Sequence, residues 1–398
     1  MLGATGIAAL VGGAGLGVDT VQWYLWQRQL QQAVDSSALA GALNLYQGED
    51  YSTAATSELN RNANTTVTIE RLANPPAVGA YAGSNSAVEV VATTSRQLPF
   101  SSLFLTVAPT IRARAVATSI EGDEHCVISL APAGVGVQTV GNPNVVLGCG
   151  VAANSWSEQW IYLDGTAWLE ANPLSSVGGI HQGGNNVPSG TALLTYAQPL
   201  NDPIADRGLS VPSTPAACTY NNYTVSPSTT VTLNPGRYCG GLRIRGTATL
   251  NPGVYIIDGG NLVINAQATV IGHGVTFVLT GNSPSTVASV SIAGGADLDL
   301  RAPTQAEDAT WYDMLIYQDP TANNQNNTLA GGSGTQFNGI VYMPNGDVNF
   351  TGNSNGTADC LLIVSYRVSF TGDANIGNNC PSTIDDLDLR DRRIRVVE

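Results

Sequence analysis

Short words of this chain return at intervals near twenty residues, and that recurrence constrains its fold more than any other feature. Leu233-Asn234-Pro235-Gly236 returns 17 positions on as Leu250-Asn251-Pro252-Gly253, and Gly253-Val254 returns after 21 as Gly274-Val275. Val348-Asn349-Phe350-Thr351-Gly352 returns after 20 as Val368-Ser369-Phe370-Thr371-Gly372. Such a period predicts a solenoid. Within the repeats apolar and polar residues alternate, Leu242 and Ile244 against Arg243 and Arg245, or Leu298 and Leu300 against Asp297, Asp299 and Arg301. One side of each strand is therefore buried and the other wet. A parallel β-helix over 122–384 satisfies this, with Gly, Asn and Asp at its corners. A β-sandwich is the alternative, but it has no reason to repeat matching words one coil apart.

Six cysteines fall in three successive couples, Cys126/Cys149, Cys218/Cys239 and Cys360/Cys380, spaced 23, 21 and 20 residues apart. Coils of a parallel solenoid stack about 4.8 Å apart, inside the Cα separation a disulfide needs. Three coil-to-coil disulfides are thus expected, which places the chain in an oxidising compartment. A zinc site is disfavoured, because there is no Cys-x-x-Cys and His125, His181 and His273 are scattered.

Charged residues make up only 12% of the chain, against about 25% in ordinary globular proteins. All 16 basic residues are Arg, and 30 acids leave a net charge of -14. Binding to nucleic acid is excluded on that balance, since phosphate recognition needs a cationic surface.

Residues 1–18 carry no charge, which is the lower edge of what spans a bilayer as a helix. Gly13 and Gly17 lie in this run, and glycines there suit close helix packing in lipid or in a fibre core. No basic stretch precedes the run and no small-x-small site follows it, so a retained helix is expected rather than a cleaved signal. Beyond Asp19, Trp23, Trp26, Leu30, Ala33, Ser37 and Ala40 recur at spacings of three and four, continuing one helix to Gln47 with Gly48 as its stop. Trp23, Tyr24, Trp26 and Arg28 read either as an interfacial aromatic belt or as helix packing. Asp19 is expected as a solvated interfacial acid, with pairing to a neighbouring subunit as the other reading.

From residue 48 to 121 the signals favour a small α+β domain, with strands at 65–72, 87–94 and 110–120. The fold expected overall is mainly β: a long N-terminal α-helix (1–47) and a small antiparallel sheet in a pilin-like layout, then a disulfide-stapled parallel β-helix. Residues 385–398 read as a charged C-terminal tail, a cap or a flexible end.

The strand Asp297-Leu298-Asp299-Leu300-Arg301 is the one place where two carboxylates and a guanidinium share an exposed face, the grouping used by carbohydrate-cleaving β-helices. A solvated charge ladder explains it as well, and is the expected reading. Asp258 beside Gly259-Gly260 and His273 between two glycines read as turn residues. No cofactor motif is present.

The N-terminal part resembles the TadG-like proteins of tight-adherence, or Flp-type, pilus assembly. The resemblance is carried by Gly17-Val18-Asp19, Trp23-Tyr24-Leu25 and the run Leu30-Gln31-Gln32-Ala33-Val34-Asp35-Ser36-Ser37-Ala38-Leu39-Ala40-Gly41-Ala42. The C-terminal part is similar to extended members with a cysteine-containing solenoid, through Cys126-Val127-Ile128, Gly148-Cys149-Gly150-Val151, Asn201-Asp202-Pro203 and Pro235-Gly236-Arg237-Tyr238-Cys239-Gly240-Gly241. The family's basic, Gly-containing stretch before the apolar run is missing here, which points to a trimmed or differently assigned start. The resemblance implies a non-enzymatic, pilin-like or minor-pilin subunit in the inner membrane with an extracytoplasmic C-terminal region, or on the cell surface within a pilus. Its implied partners are other pilus subunits or the assembly machinery and the membrane itself, with a surface polysaccharide as a ligand of the adhesive solenoid. A membrane-anchored carbohydrate-active enzyme and a secreted adhesin unrelated to pili are the rival readings.

Overall fold

The computed structural model describes residues 2–398 apart from 105, 324, 331–334, 352–354, 359, 373–374, 379–386 and 388. The chain divides into two compact units, one of Met1–Glu121 with Arg392–Glu398, the other of Gly122–Asp391.

In the first unit, helix α1 (Leu2–Tyr46) buries Leu30, Ala33, Val34, Ser37, Ala38 and Ala42 at helical spacing. Ala40, expected on that stripe, is only half-buried, because the stripe turns through Val34, Ala38 and Ala42 instead. The helix stops where Gly48 takes a left-handed backbone, with φ of +75°, a conformation that costs a residue without Cβ nothing. A second helix, α2 (Tyr51–Asn62), follows at once. The sequence signals place only strands by position in this α+β region, because the Ser, Thr and Asn content of 51–62 argues against a helix there. Asp50 starts it, accepting hydrogen bonds from the amides of Ser52 at 3.0 Å and Thr53 at 3.3 Å. These bonds, with those from both hydroxyls, hold the Asp50 carboxyl down to about 2. Ser37 fixes α1 to α2 by donating to the Ala55 carbonyl at 2.7 Å.

Three antiparallel strands complete this unit: β1 (Thr68–Ala73), β2 (Ala87–Ser95) and β3 (Thr110–Ser129), with β2 between the others. Val88, Val90 and Ala92 of β2 and Ile111, Ala113, Ala115 and Ala117 of β3 join the stripe of α1 in one core. Of the expected tail 385–398, residues 385, 386 and 388 lie outside the described residues, and the part from Leu389 on is not a flexible end. Arg390–Val396 is a strand, the amide of Val397 donates to Val116 at 2.8 Å, and Glu398 pairs with Arg114 at 2.7 Å.

The second unit is a parallel β-helix of three strand faces. The first face includes Gly253–Asp258 on Val275–Thr280, and the second Leu262–Ile264 on Val290–Ile292. The third includes Thr230–Leu233, Thr247–Leu250, Thr269–His273 and Asp297–Arg301 in succession. Two of the three word repeats mark true coil partners: Leu233 pairs with Leu250, and Val348, Phe350 and Thr371 fall in the 20-residue register. The Gly-Val word is one residue off, since that coil is longer than the word spacing: Leu250 pairs with Gly272 and Gly253 with Val275.

The coils are not stacked in chain order. On the second face the register runs without a break from Thr224 through Arg243, Val263, Ser291, Thr328, Asn349 and Ser369, and then to Gln138, Tyr162 and His181. The coil holding Leu361–Gly372 therefore lies against the coil that opens the unit, at Val127–Ser129 and Val137–Gly141. Two stacks that grow in the same sense meet there, the last coil of the later one against the first coil of the earlier one. The chain has to travel from the far end of one stack to the far end of the other, and residues 197–219 make that journey. Leu200 exchanges backbone hydrogen bonds with the Asn154 side chain at 2.6 and 2.8 Å, and Asp202 accepts from the Tyr342 hydroxyl at 2.8 Å. Further along, the Leu209 carbonyl accepts from Tyr317 at 3.0 Å, and the carbonyls of Pro212 and Pro215 from Arg237 at 2.9 and 2.7 Å. This strap covers the outer side of the first face, where Ile256, Val278, Leu315 and Leu362 are buried although they alternate with inward residues. Burial there pushes the Tyr317 hydroxyl up to about 12. Inside the stack, Tyr220, Tyr238, Tyr255 and Phe277 follow one another with ring centroids 4.5 to 5.9 Å apart.

Candidate functional site

The described side chains of α1 begin at Gly13, so those of most of the apolar run 1–18 are outside the description. Among the described residues no helix is long and apolar enough to cross a membrane. From Leu16 to Leu25 the helix exposes Leu16, Val18, Val21, Trp23, Tyr24 and Leu25, which lie around most of its circumference. Gly13 and Gly17 have open space where a side chain would stand. Gly15, which lies between them, is required by packing within the chain, because a Cβ there would run into the Phe100 ring.

Asp19 is not a solvated acid. It is 3% exposed and accepts from the amides of Phe100 at 2.8 Å and Ser101 at 2.5 Å and from the Ser101 hydroxyl. The loop is thereby fixed to the helix one turn from Gly15. Trp26 is half-buried with the Arg96 guanidinium 4.7 Å over its ring, while Trp23 faces solvent. Leu30 belongs wholly to the core.

The expected disulfides Cys126–Cys149 and Cys218–Cys239 are present, with Cα separations of 5.7 and 5.6 Å. Each joins neighbouring coils diagonally rather than rung to rung: Cys239 pairs in register with Asn221, and Gly150 with His125. Cys218 ends the strap, so the second bridge ties the strap to the coil it reaches. For Cys360/Cys380, Cys380 lies outside the described residues.

On the third face, Leu298 and Leu300 point into the core while Asp297, Asp299 and Arg301 point out. Asp299 faces His273 of the adjacent coil at 3.0 Å, and Arg301 holds Glu307 through two contacts of 2.9 Å. That guanidinium and the bonds from Thr304 bring the Glu307 carboxyl down to about 2. The arrangement is a set of polar contacts across two adjacent coils. Elsewhere, Asp258 pairs with Arg237 at 2.6 Å, His181 stacks on Tyr162 with centroids 4.7 Å apart, and His125 is fully buried. The structure thus brings Asp299 and His273 together and leaves Asp258, His125 and His181 apart. Among the described residues no group of three or more His, Cys, Asp and Glu is placed to hold a metal ion.

The first unit is thus a helix packed along a small antiparallel sheet, with the N-terminal part of the helix projecting apolar side chains, and the second unit is a β-helix. Residues 1–44 match the Tad family model, described as "Putative Flp pilus-assembly TadE/G-like", so this segment is similar to TadE/G-like proteins of Flp pilus assembly. No curated protein matches the chain.

Proposed function

We propose that the protein is a structural, pilin-like accessory subunit of a tight-adherence pilus or a related surface filament. Its N-terminal helix inserts in the membrane or the fibre core, and its β-helix stands outside the cytoplasm as a docking or adhesive surface. The observation that carries this reading is the division of labour along α1. Its C-terminal half is consumed by the first unit's own core, while its N-terminal part, within the family-matched segment, leaves large apolar side chains without a partner among the described residues. Apolar surface of that kind is the mark of an interaction site.

The two disulfides fit an extracytoplasmic setting. The strap removes the first face from contact with any ligand, so the second and third faces are the ones available for docking, a surface polysaccharide included. The protein acts without catalysis in this reading: Asp299 and Arg301 are spent on His273 and Glu307, as in a solvated charge ladder. The test is cell fractionation and immunogold labelling of the full chain, produced with an intact pilus-assembly system. Label on envelope or filament, lost on deleting 1–44, is the expected result. Full-length protein that stays in the soluble fraction with assembly intact overturns the proposal.

A further inference from the structure

The loop after β2 offers a second apolar element beside the helix. Residues 97–111 contain no charged side chain, and they are flanked by Arg96 and Arg112. That stretch is too short to span a bilayer and has the length of an interfacial segment. Its middle, around the single turn Ser101–Leu103, exposes Leu103 by 73%, Phe104 by 75% and Val107 by 79%. Such exposure at three large apolar residues in one turn region is costly in water. The loop is not loose chain. Asp19 receives its two amides and the Ser101 hydroxyl, and the Phe100 ring sits against Gly15 and 5.5 Å from Phe104.

These contacts fix the loop at helix residues 15–19, where the uncharged N-terminal run ends. The helix beside it is apolar too, with Leu16, Val18 and Val21 exposed. Just below come Trp23, Tyr24, Trp26 and the cations Arg28 and Arg96, the latter stacked on Trp26. Apolar tips followed by a layer of aromatic and arginine side chains is the order found where a protein meets a bilayer, the rings at headgroup depth and the guanidinium groups toward lipid phosphates.

We infer that the loop segment carrying Leu103, Phe104 and Val107 is a membrane-contact element, dipping these three side chains into the lipid interface alongside α1; this rests on the reading that residues 1–18 insert in the membrane. Asp19 is a positioning residue in this arrangement. Its carboxylate is spent on the loop and kept from lipid, so the acid at the end of an apolar run meets three hydrogen-bond donors of the protein instead of hydrocarbon.

The test places a benzophenone amino acid at Phe104 of the full chain, with a control at exposed Val78, and reconstitutes each into vesicles of phosphatidylethanolamine and phosphatidylglycerol. Irradiation should yield a lipid adduct at 104 and little at 78. In a Gly15→Leu background, which evicts Phe100, the adduct at 104 should fall severalfold while the chain stays vesicle-bound. A vesicle-bound chain whose position 104 gives no lipid adduct, or couples only to a second copy, overturns the inference and leaves helix insertion standing. An adduct indifferent to Gly15→Leu also overturns it. A chain that does not bind vesicles at all removes both readings together.

Discussion

Gln138 donates a hydrogen bond to the hydroxyl of Ser369 at 3.0 Å, although 231 residues separate them. The contact lies on the seam where the coil of Leu361–Gly372 meets the coil that opens the β-helix. Beneath it, Phe370 stacks on Phe350 with centroids 5.4 Å apart and is fully buried.

Phe370→Ala should therefore destabilise the β-helix by about 3–5 kcal/mol, the usual cost of emptying an aromatic site in a packed core. Chemical unfolding followed by far-ultraviolet circular dichroism measures it. A loss within the scatter of a surface substitution would mean the seam is not a packed core.

Opening Cys218–Cys239 by a double change to Ser should cost about 3 kcal/mol, the chain-entropy value for a loop of this length. Because the bridge ties down the strap, proteolysis should then cut first within 205–219. Peptide mapping of the oxidised protein should recover Cys126–Cys149 and Cys218–Cys239, and crossed pairs such as Cys149–Cys218 would refute the stacking.

Glu89 is buried in the first unit. Burial by itself raises its carboxyl, but the hydrogen bonds from Arg114 at 2.7 Å and from the Ala77 amide, together with Arg71, outweigh that and hold it below its ordinary value. A depressed native value means a contribution fully present above the unfolded value of about 4.3 and lost as pH falls through the native one. Amide exchange of Ala87–Ser95 should accelerate as pH is lowered past about 4, after correction for intrinsic rates. In Glu89→Gln protection should be weaker at neutral pH and its acid dependence flatter; identical profiles would remove Glu89 from that role.

Replacing Asp297 and Asp299 together by Asn should leave adherence and fold largely unchanged, with a shift of no more than about 0.5 kcal/mol, as for exposed groups. Screening the protein on surface polysaccharides before and after the change is the check. Turnover abolished by the substitution would establish the rival enzymatic reading.

Much of the β-helix was legible because its physics is local. Leu298 and Leu300 alternate with charge, and Val348 returns as Val368, because side chains must stack on their own kind from coil to coil. The seam had no such signal: Ser369 on Gln138 shares polarity but no word. The strap was invisible for the same reason, since 197–219 repeats nothing and is recognised only by what it covers. Asp19 misled because burial depends on a partner 82 residues away, while helix α2 was hidden by residues that favour a helix only once Asp50 caps it.

The order of the coils bears on how the molecule is made. Residues 126–195 emerge first during synthesis or export, and their opening coil displays an unpaired strand edge until Leu361–Gly372 arrives, with most of the second stack built in between. Edges of that kind recruit other chains, and contacts so distant in sequence close slowly. The β-helix can therefore not zip up coil by coil behind a translocating chain. Its closure is a single late event, and until the final coils are made that open edge has to be kept from other chains.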